Sequence, residues 1–294
     1  MKVCVAFIAF DRHRLVNLTL SRIWRFLPWR WKFKVFQDGP IEQSSGRTVG
    51  SIKGVEQNLA FYRNLKIDVE FKGEHNRGIA DVIYAAECWG FDECGADIVI
   101  VIEDDIVISK FFFFAMRQFA RMSIVNERVG AFSAFGDSSL QYADQFQKRN
   151  AFTPMHHRWG YGVSRDFWSK TRSDYTHYLN LMQGYEFRLR PHAAITEFML
   201  RFKNTKNIAH ITSQDGVQTA LMLHHGGFSF MSPVSYAVNI GKSGLHMGPE
   251  FFNHYKKQFK GPYGLFPYPL LFSCGALAEQ SNDLFNQCVN YKYY

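Results

Sequence analysis

Apolar residues in this chain form short continuous runs, separated by longer stretches in which they recur at helical spacing. Five runs, at residues 2–10, 32–36, 66–71, 97–102 and 129–135, have the length of strands. Residues 98–102 are apolar without interruption, which is typical of a strand covered on both faces, as in a parallel sheet. Residues 79–93 and, less regularly, 15–26 carry the apolar stripe of a helix. This alternation predicts βαβ units.

The regular alternation ends near residue 140. Residues 141–158 are polar and then rich in His and Arg, and residues 161–199 have a mostly helical pattern. The last forty residues contain Gly-Pro-Tyr-Gly and Pro-Tyr-Pro, which predict loops. Because there is neither an internal repeat nor a low-complexity linker, we expect a single domain.

Composition excludes a disordered chain, since 47% of the 294 residues are apolar. The first apolar run has about eight residues, too few for a membrane span, and no other run approaches 18. We therefore expect neither a targeting segment nor a transmembrane helix. The five cysteines form no C-x-x-C pair, so a reducing compartment, and thus the cytoplasm, is expected.

The net charge of +8 and the pI of about 9.2 favour an anionic partner: a nucleotide, a nucleic acid, an acidic polymer or an anionic membrane. Nucleic acid is disfavoured because the basic residues form no single block. Residues 23–32 interleave basic residues with Trp24, Trp29 and Trp31, the pattern of a peripheral membrane anchor or of a helix–strand junction. The 29 Phe, 14 Tyr and 6 Trp indicate either a sugar-binding cleft or a Phe-rich core.

Three consecutive carboxylates, Glu103, Asp104 and Asp105, follow the apolar strand at 97–102. Open α/β sheets bind ligands beyond the carboxyl ends of their strands. Three like charges repel unless a cation or hydrogen bonds offset them, and a hard divalent cation such as Mn²⁺ or Mg²⁺ prefers oxygen ligands. The triplet therefore indicates a metal or nucleotide site, with a solvated turn as the alternative.

Two further polar positions follow strands at the same rim of the predicted sheet. Arg12 comes after the first strand, where a basic residue can pair with a diphosphate. Asp38 comes after the second strand in an Asp-Gly-Pro sequence, which is also ordinary turn chemistry.

Three later motifs complete the set of candidates. Trp159 and Gly160 belong to a Trp-Gly-Tyr-Gly sequence that suits either the floor under a sugar or a plain turn. Asp215 opens a helical segment, as a helix cap or as a catalytic group. Lys242 follows Gly241, but Tyr236 stands where a phosphate-binding loop needs its first glycine. The glycines and His246 fit instead a late loop that closes over a metal–diphosphate.

Together these motifs resemble glycosyltransferases of the GT-A fold, most closely the N-acetylglucosaminyltransferase I family. The resemblance covers roughly residues 3–250 and is most specific around the acidic triplet. It follows the order of that family's motifs: Asp11-Arg12, Gln37-Asp38, residues 101–105 with the aromatic residues 111–114, residues 131–137, Trp159-Gly160, Asp215 and residues 241–246. The implied fold is a Rossmann-like, mostly parallel α/β sheet flanked by helices. Its nucleotide and metal half would span about 1–138, its acceptor half about 139–250 and a C-terminal extension about 251–294.

The resemblance implies an inverting, metal-dependent transfer of a hexosyl or N-acetylhexosaminyl group onto the hydroxyl of a glycan or other acceptor. The donor would be a nucleotide sugar, UDP-linked as in that family. Asp215 would be the base, and Asp105 with His246 would hold Mn²⁺ or Mg²⁺. The donor would be bound by Arg12, Asp38, Glu103, Asp104, Trp159, Gly160 and Lys242. The competing bases are Asp137, Asp166, Asp174 and Glu197.

Two other functions stay open at this point. A sugar nucleotidyltransferase would carry a glycine-rich loop after the first strand, but residues 10–14 contain no glycine. A non-catalytic module that binds carbohydrate or a membrane surface would use the basic and aromatic segment at 23–32.

Overall fold

An eight-stranded sheet lies at the centre of the protein. The computed structural model describes residues 1–43, 45–136, 140–155, 157–182, 190–203, 213–241 and 265–290. The strands are β1 (Val3–Ala9), β2 (Lys32–Gln37), β3 (Ile41–Glu42), β4 (Val69–Phe71), β5 (His75–Asn76), β6 (Ile98–Glu103), β7 (Ile106–Ile108), β8 (Val129–Ser133), β9 (Thr153–Pro154), β10 (Tyr161–Ser164), β11 (Phe228–Met231) and β12 (Ala237–Asn239). The order in the central sheet is β4-β2-β1-β6-β10-β8-β11-β9.

Six of these eight strands point in the same direction. β4, β2, β1 and β6 form consecutive parallel pairs, and β8 pairs in parallel with β11. β10 lies between β6 and β8 and is antiparallel to both, while β9 is an antiparallel edge strand. The predicted fold class, a mostly parallel α/β sheet flanked by helices, is confirmed.

Helices cover both faces of the sheet. They are α1 (His13–Phe26), α2 (Ile52–Leu65), α3 (Ile79–Cys88), α4 (Phe112–Val125), α5 (Tyr142–Gln147), α6 (Arg165–Met182), α7 (His192–Met199), α8 (Gln214–His224) and α9 (Cys274–Asn290). Val5 and Phe7 of β1 pack in the hydrophobic cluster that includes α1 and α4, whereas Ala6 packs with α3. A strand buried on both faces needs apolar residues at every position, which explains the uninterrupted runs.

Most predicted elements are present, with shifted ends. The strand expected at 66–71 begins only at Val69, because Lys66 ends α2 in a left-handed conformation with φ 54°. The helix expected at 79–93 becomes a π-helical turn after Cys88.

Two expectations need correction and one helix was not predicted. Residues 161–199, expected to be mostly helical, contain α6 and α7 but begin with the antiparallel strand β10 inside the sheet. The loops expected in the last forty residues give way to α9, which buries Leu277 and Leu284. Helix α2 was not predicted.

No described helix has the length and apolar content needed to cross a bilayer.

The order of the strands creates a crevice at one rim. From β1 the chain moves outward to β2 and β4, and then returns to form β6 on the other side of β1. Connections leave in opposite directions from the carboxyl ends of β1 and β6, and open α/β sheets bind ligands at such a switch point. A small antiparallel pair, β7 with β12, lies beside it and brings Ile240 to the backbone of Asp105, with an N–O distance of 2.9 Å.

Candidate functional site

Segments from five elements converge on the switch-point rim. Arg12 follows β1, the acidic triplet ends β6 and Asp38 follows β2. Because β10 is antiparallel to β6, its first residues lie at the same rim: Tyr161 pairs with Val101, which places Trp159 level with Glu103. The first turn of α8 brings Asp215 to the triplet from the second half of the chain.

Arg12 lies between two carboxylates of the triplet. Its Nη2 pairs with Oδ1 of Asp104 and lies 3.0 Å from Oδ2 of Asp105. Burial lowers the pKa of Arg12, but the two carboxylates outweigh this effect and the pKa is raised. Burial raises the pKa of Asp104 to about 6, although Arg12 acts in the opposite direction. Arg12 therefore offsets the charge of the triplet, and its contact with a nucleotide stays a prediction.

Asp105 has one paired and one unpaired carboxylate oxygen. Oδ2 faces Arg12, whereas Oδ1 is buried and has no hydrogen-bond partner among the described residues. A buried acceptor without a donor calls for an explanation, and a hard cation with oxygen ligands is one. The donor set of Asp105 thus fits Mn²⁺ or Mg²⁺.

The rest of the coordination shell has to come from elsewhere. Within the described ranges, no three His, Cys, Asp or Glu side chains are grouped so that they could hold a metal ion. A single carboxylate is still consistent with magnesium-type sites, where substrate phosphates and water complete the shell. Lys242 and His246, which were predicted to contribute to the donor and metal sites, lie outside the described residues.

Gly241 approaches the triplet so closely that a side chain would collide with it. A Cβ at this position would lie 2.4 Å from Oδ2 of Asp105 and 3.2 Å from Nη1 of Arg12. The backbone is held in place because Ile240 donates to the carbonyl of Asp105 and Gly241 donates to Oδ1 of Asn239, at 2.8 Å. The glycine therefore sets the distance between this segment and the proposed metal ligand.

Glu103 links the triplet to Asp215. Burial raises the pKa of Glu103 well above its ordinary range, and the charges of Asp105, Asp215 and Asp104 raise it further. Asp105 and Asp215, which are far apart in sequence, are thus both electrostatic neighbours of one carboxyl group.

Asp215 is not the cap of its helix. Ser213 is the N-cap of α8, and its Oγ accepts the N–H of Gly216 at 3.3 Å. The carboxylate of Asp215 instead accepts a hydrogen bond from the backbone N–H of Arg158. Burial raises the pKa of Asp215, and the charge of Arg158 opposes that shift. The cap of α8 is therefore Ser213, and the alternative interpretation of Asp215 as a helix cap was wrong.

The other candidate bases that the structure describes do not show this proximity. Asp166 is exposed and pairs with Lys170 at 2.6 Å on α6. Glu197 is exposed on α7, and Asp174 is absent from the groups that act on Glu103. Asp137 lies outside the described residues.

A buried charge network lies behind Asp215 and was not predicted. Glu87 and Arg158 are 2% and 4% exposed, and two guanidinium nitrogens of Arg158, Nε and Nη2, have no hydrogen-bond partner in the described part of the chain. Oε1 of Glu87 accepts from Tyr161 at 3.4 Å and from Gln218 at 3.2 Å. Burial raises the pKa of Glu87 to about 7, with Arg158 opposing it. The sequence does contain one sign of this network: Glu87 lies four residues after Ile83, so a carboxylate stands on the apolar stripe of α3.

Asp38 organises a turn at the rim. Its Oδ1 accepts the backbone N–H groups of Gly39 and Arg77, at 2.9 and 2.8 Å. Its Oδ2 accepts from Gly78 and from Nδ2 of Asn76, both at 3.0 Å. Burial raises the pKa of Asp38, and these amides oppose the shift. The structure accounts for this carboxylate as a turn former, and contact with a nucleotide stays a prediction.

Trp159 and Gly160 form the edge of the site next to β6. The Trp159 ring is half-buried and stacks on His157, with ring centroids 4.4 Å apart. Gly160 has φ 58°, a conformation that favours glycine, and its carbonyl accepts from Ser133 Oγ at 3.0 Å. A fixed indole thus stands level with the acidic triplet.

The three tryptophans predicted to contact a membrane do not share one surface. Trp31 is only 8% exposed and packs against Phe113, with centroids 5.6 Å apart, so the prediction for Trp31 was wrong. Trp31 directly precedes β2, and its ring lies in the core. Trp24 and Trp29 are 48% and 84% exposed.

Comparison with known proteins gives structural similarity only. No family model matches the chain, and no curated protein sequence matches it. Among solved structures, the mannosyltransferase PcManGT from Pyrobaculum calidifontis, in complex with GDP-Man and Mn²⁺, is 12% identical with a TM-score of 0.40, over 76% of this chain and 71% of that one.

Two further structures are similar at the same level. S. aureus TarS 1-349 in complex with UDP-GlcNAc is 11% identical with a TM-score of 0.46, over 88% of this chain and 65% of that one. Glucosyl-3-phosphoglycerate synthase from Mycobacterium tuberculosis, with Mn²⁺ and UDP, is 11% identical with a TM-score of 0.35, over 57% and 58%. The chain thus spans less than two thirds of either protein. All three TM-scores are below 0.5, so these similarities do not assign a function to this chain.

Proposed function

We propose that this protein is a metal-dependent glycosyltransferase that moves a sugar from a UDP-linked donor to an acceptor hydroxyl. One observation carries the proposal: Glu103 is an electrostatic neighbour of both Asp105, which has an unpaired buried oxygen, and Asp215, which is not needed as a cap. A metal-ligating carboxylate and a separate carboxylate base, set around one crevice, are the groups that a single-displacement sugar transfer requires.

In this proposal Asp105 holds Mn²⁺ or Mg²⁺ at the switch point, with His246 as a second ligand. The bound cation would neutralise the donor diphosphate and act as a Lewis acid for the departing nucleoside diphosphate. Arg12 keeps the carboxylates of Asp104 and Asp105 in place and adds positive charge beside the diphosphate. Glu103 and Asp104 would contact the ribose or the sugar, and Lys242 and Asp38 would contact the nucleotide side.

Asp215 would accept the proton of the attacking hydroxyl. Its pKa is raised by burial, which strengthens it as a base, while Arg158 keeps the ionised form accessible. The indole of Trp159, fixed by its stacking on His157, supplies an apolar surface level with the triplet on which a sugar ring can lie. Attack from the side opposite the diphosphate would invert the anomeric carbon. The N-acetylglucosaminyltransferase I resemblance, and the transfer of a hexosyl or N-acetylhexosaminyl group, belong to this proposal.

The experiment is a screen of purified protein against UDP- and GDP-linked sugars, with release of the nucleoside diphosphate as the readout. We expect release with at least one donor, its loss in EDTA and its recovery with Mn²⁺. Asp105→Asn should abolish metal-dependent nucleotide binding by calorimetry. Asp97→Asn, at the opposite end of β6, is the matched control and should behave as the unmodified protein, since Asp97 only binds the backbone of Lys2 and the amino terminus.

The same assay separates the alternatives. A sugar nucleotidyltransferase would release pyrophosphate from a nucleoside triphosphate and a sugar phosphate. A non-catalytic module would bind sugar or nucleotide without turnover. Full release of nucleoside diphosphate in EDTA would contradict the metal-dependent mechanism, and the anomeric configuration of the product, read by NMR, tests inversion.

A further inference from the structure

Two segments on one side of the protein carry basic residues and no acidic ones. No Asp or Glu occurs at positions 13–37 or 106–126. Besides Lys32, whose Nζ lies 3.6 Å from Sγ of Cys94, seven basic residues in these segments are exposed: Arg14, Arg22, Arg25, Arg30, Lys110, Arg117 and Arg121. Their number nearly equals the net charge of the whole chain, +8, so the positive charge is concentrated here.

These two segments form one continuous surface. Arg22, on α1, donates to the carbonyl of Ile108 at 3.1 Å, just before α4. The guanidinium of Arg117, on α4, lies 5.5 Å from the ring centroid of Trp31, which follows α1. We call the seven basic residues, together with the exposed apolar residues between them, the basic aromatic face.

The seven charges have no ionic partner in the described part of the chain. None of them forms an ion pair there, although other surface cations do, such as Lys170 with Asp166 and Arg172 with Asp92. Their recorded contacts are a carbonyl for Arg22 and aromatic rings for four others: Arg25, Arg30, Lys110 and Arg117. The charges are therefore available to an anionic partner.

Large apolar side chains stand among these charges. Leu18, Trp24, Trp29 and Phe114 are 47%, 48%, 84% and 42% exposed. On α1, Leu18 is four residues from both Arg14 and Arg22 on the outer stripe of the helix. Trp29 follows α1 and has the guanidinium of Arg30 4.5 Å from its ring centroid. Indole rings beside arginines are typical of side chains that sit at the headgroup level of a bilayer.

We propose that the basic aromatic face docks the protein on an anionic phospholipid surface. The positive charges complement the negative headgroups, and Trp29, Trp24, Leu18 and Phe114 enter the boundary between headgroups and acyl chains. A polynucleotide would also be attracted by the charge, but its strongest contacts would be with phosphates, for which an exposed Leu and Phe serve no purpose. The inference is independent of the proposed sugar transfer.

The test is co-flotation of the full chain with two kinds of liposome. One is neutral phosphatidylcholine, and the other is phosphatidylcholine with roughly 30–40% phosphatidylglycerol, which gives the vesicle the negative surface of a charged leaflet. We expect binding to the anionic vesicles only, weakened by salt. Each basic residue near such a surface contributes about a factor of five to partitioning. Arg25→Glu/Arg30→Glu should therefore lower partitioning by about 25-fold or more.

Two comparisons give the test its specificity. Lys148→Glu/Lys203→Glu makes the same change in net charge on exposed residues away from the face and should retain at least half of the binding. Trp29→Ala should weaken binding while leaving its salt dependence unchanged. Circular dichroism and the melting temperature of each variant establish that it is folded. Equal loss in both charge-reversal variants, or binding to duplex DNA that anionic vesicles do not compete for, would overturn the proposal.

Discussion

The backbone N–H of Arg158 donates a hydrogen bond to the carboxylate of Asp215. Arg158 directly precedes Trp159 and Gly160 at the beginning of β10, whereas Asp215 lies in the first turn of α8. The bond therefore joins the aromatic edge of the site to the proposed base. It also leaves the guanidinium of Arg158 buried between Asp215 and Glu87, so that the charge of the base is coupled to a network behind the site.

Asp215→Asn should retain donor and metal binding but lower the rate of transfer by about two to four orders of magnitude, the contribution typical of a general base. The amide keeps an oxygen that can accept the N–H of Arg158, so the fold should persist. Turnover and the affinity for UDP are measured on the same preparation.

Ser213→Ala is the matched control, because Ser213 carries the cap two residues earlier. It should cost about 1 kcal/mol of stability, seen as a lower melting temperature, and little activity. If instead Asp215→Asn remains active and only its melting temperature falls, Asp215 is structural.

Arg12→Ala should destabilise the protein by about 3 kcal/mol, because it leaves Asp104 buried beside Asp105 without a cation. Arg12→Ala/Asp104→Asn should recover part of that stability by removing one of the two charges. Urea unfolding of both variants gives the coupling energy.

The folded double variant then tests the nucleotide prediction separately. If Arg12 also binds the diphosphate, calorimetry should show weaker UDP binding to the double variant than to Asp104→Asn alone. Equal affinity of these two variants would restrict Arg12 to holding the triplet together.

Gly241→Ala should reduce the affinity for Mn²⁺ with UDP by about tenfold. This is the typical effect of changing a residue that positions a metal ligand, here Asp105. The added Cβ would lie 2.4 Å from Oδ2 of Asp105, so the carboxylate has to rotate. Gly275→Ala, where the nearest atom to a new Cβ is 3.6 Å away, is the control and should bind normally. Unchanged affinity in Gly241→Ala would mean that Asp105 is not a ligand.

Glu87→Gln should flatten the dependence of stability on pH. The pKa of Glu87 is about 7 in the folded protein against an ordinary value of 4.5, so the folded state binds more protons between these values. Stability therefore falls as pH rises from about 4.5 to 7, by up to about 3 kcal/mol, and stays low above it.

The variant removes this loss, so it should match the unmodified protein at pH 4.5 and be more stable at pH 8, as read by urea unfolding. Asp104, with a pKa raised to about 6, contributes in the same direction and leaves a residual slope. Parallel pH profiles for the two proteins would show that Glu87 is not the group responsible.

The sequence was most informative where burial and chemistry leave a local pattern. The apolar residues 98–102 identified β6, and the acidic triplet after them marked the carboxyl end of a central strand. Arg12 and Asp38 could be placed on the same rim because parallel strands share that rim. These predictions needed only the alternation of strands and helices.

The rest depended on contacts between distant parts of the chain. β10 has four residues, too few to show a period of two, and its pairing with β6 on one side and β8 on the other exists only in the folded sheet. Helix α2 buries Gly54 and Asn58 along with Val55, so its inner stripe is not apolar. Neither the pairing of Arg12 with the triplet nor the burial of Arg158 leaves a local signal, since each depends on tertiary packing.

The position of β10 also determines when the sheet can be completed during synthesis. β6 and β8 are not paired with each other; Gly162 of β10 lies between Ile100 and Phe132. Until residues 161–164 have left the ribosome, a nascent chain has two open edges, each lined with apolar residues. Such edges recruit other strands. Early arrival of a chaperone, or slow elongation through this stretch, would then govern the yield of active protein as much as the stability of the finished fold.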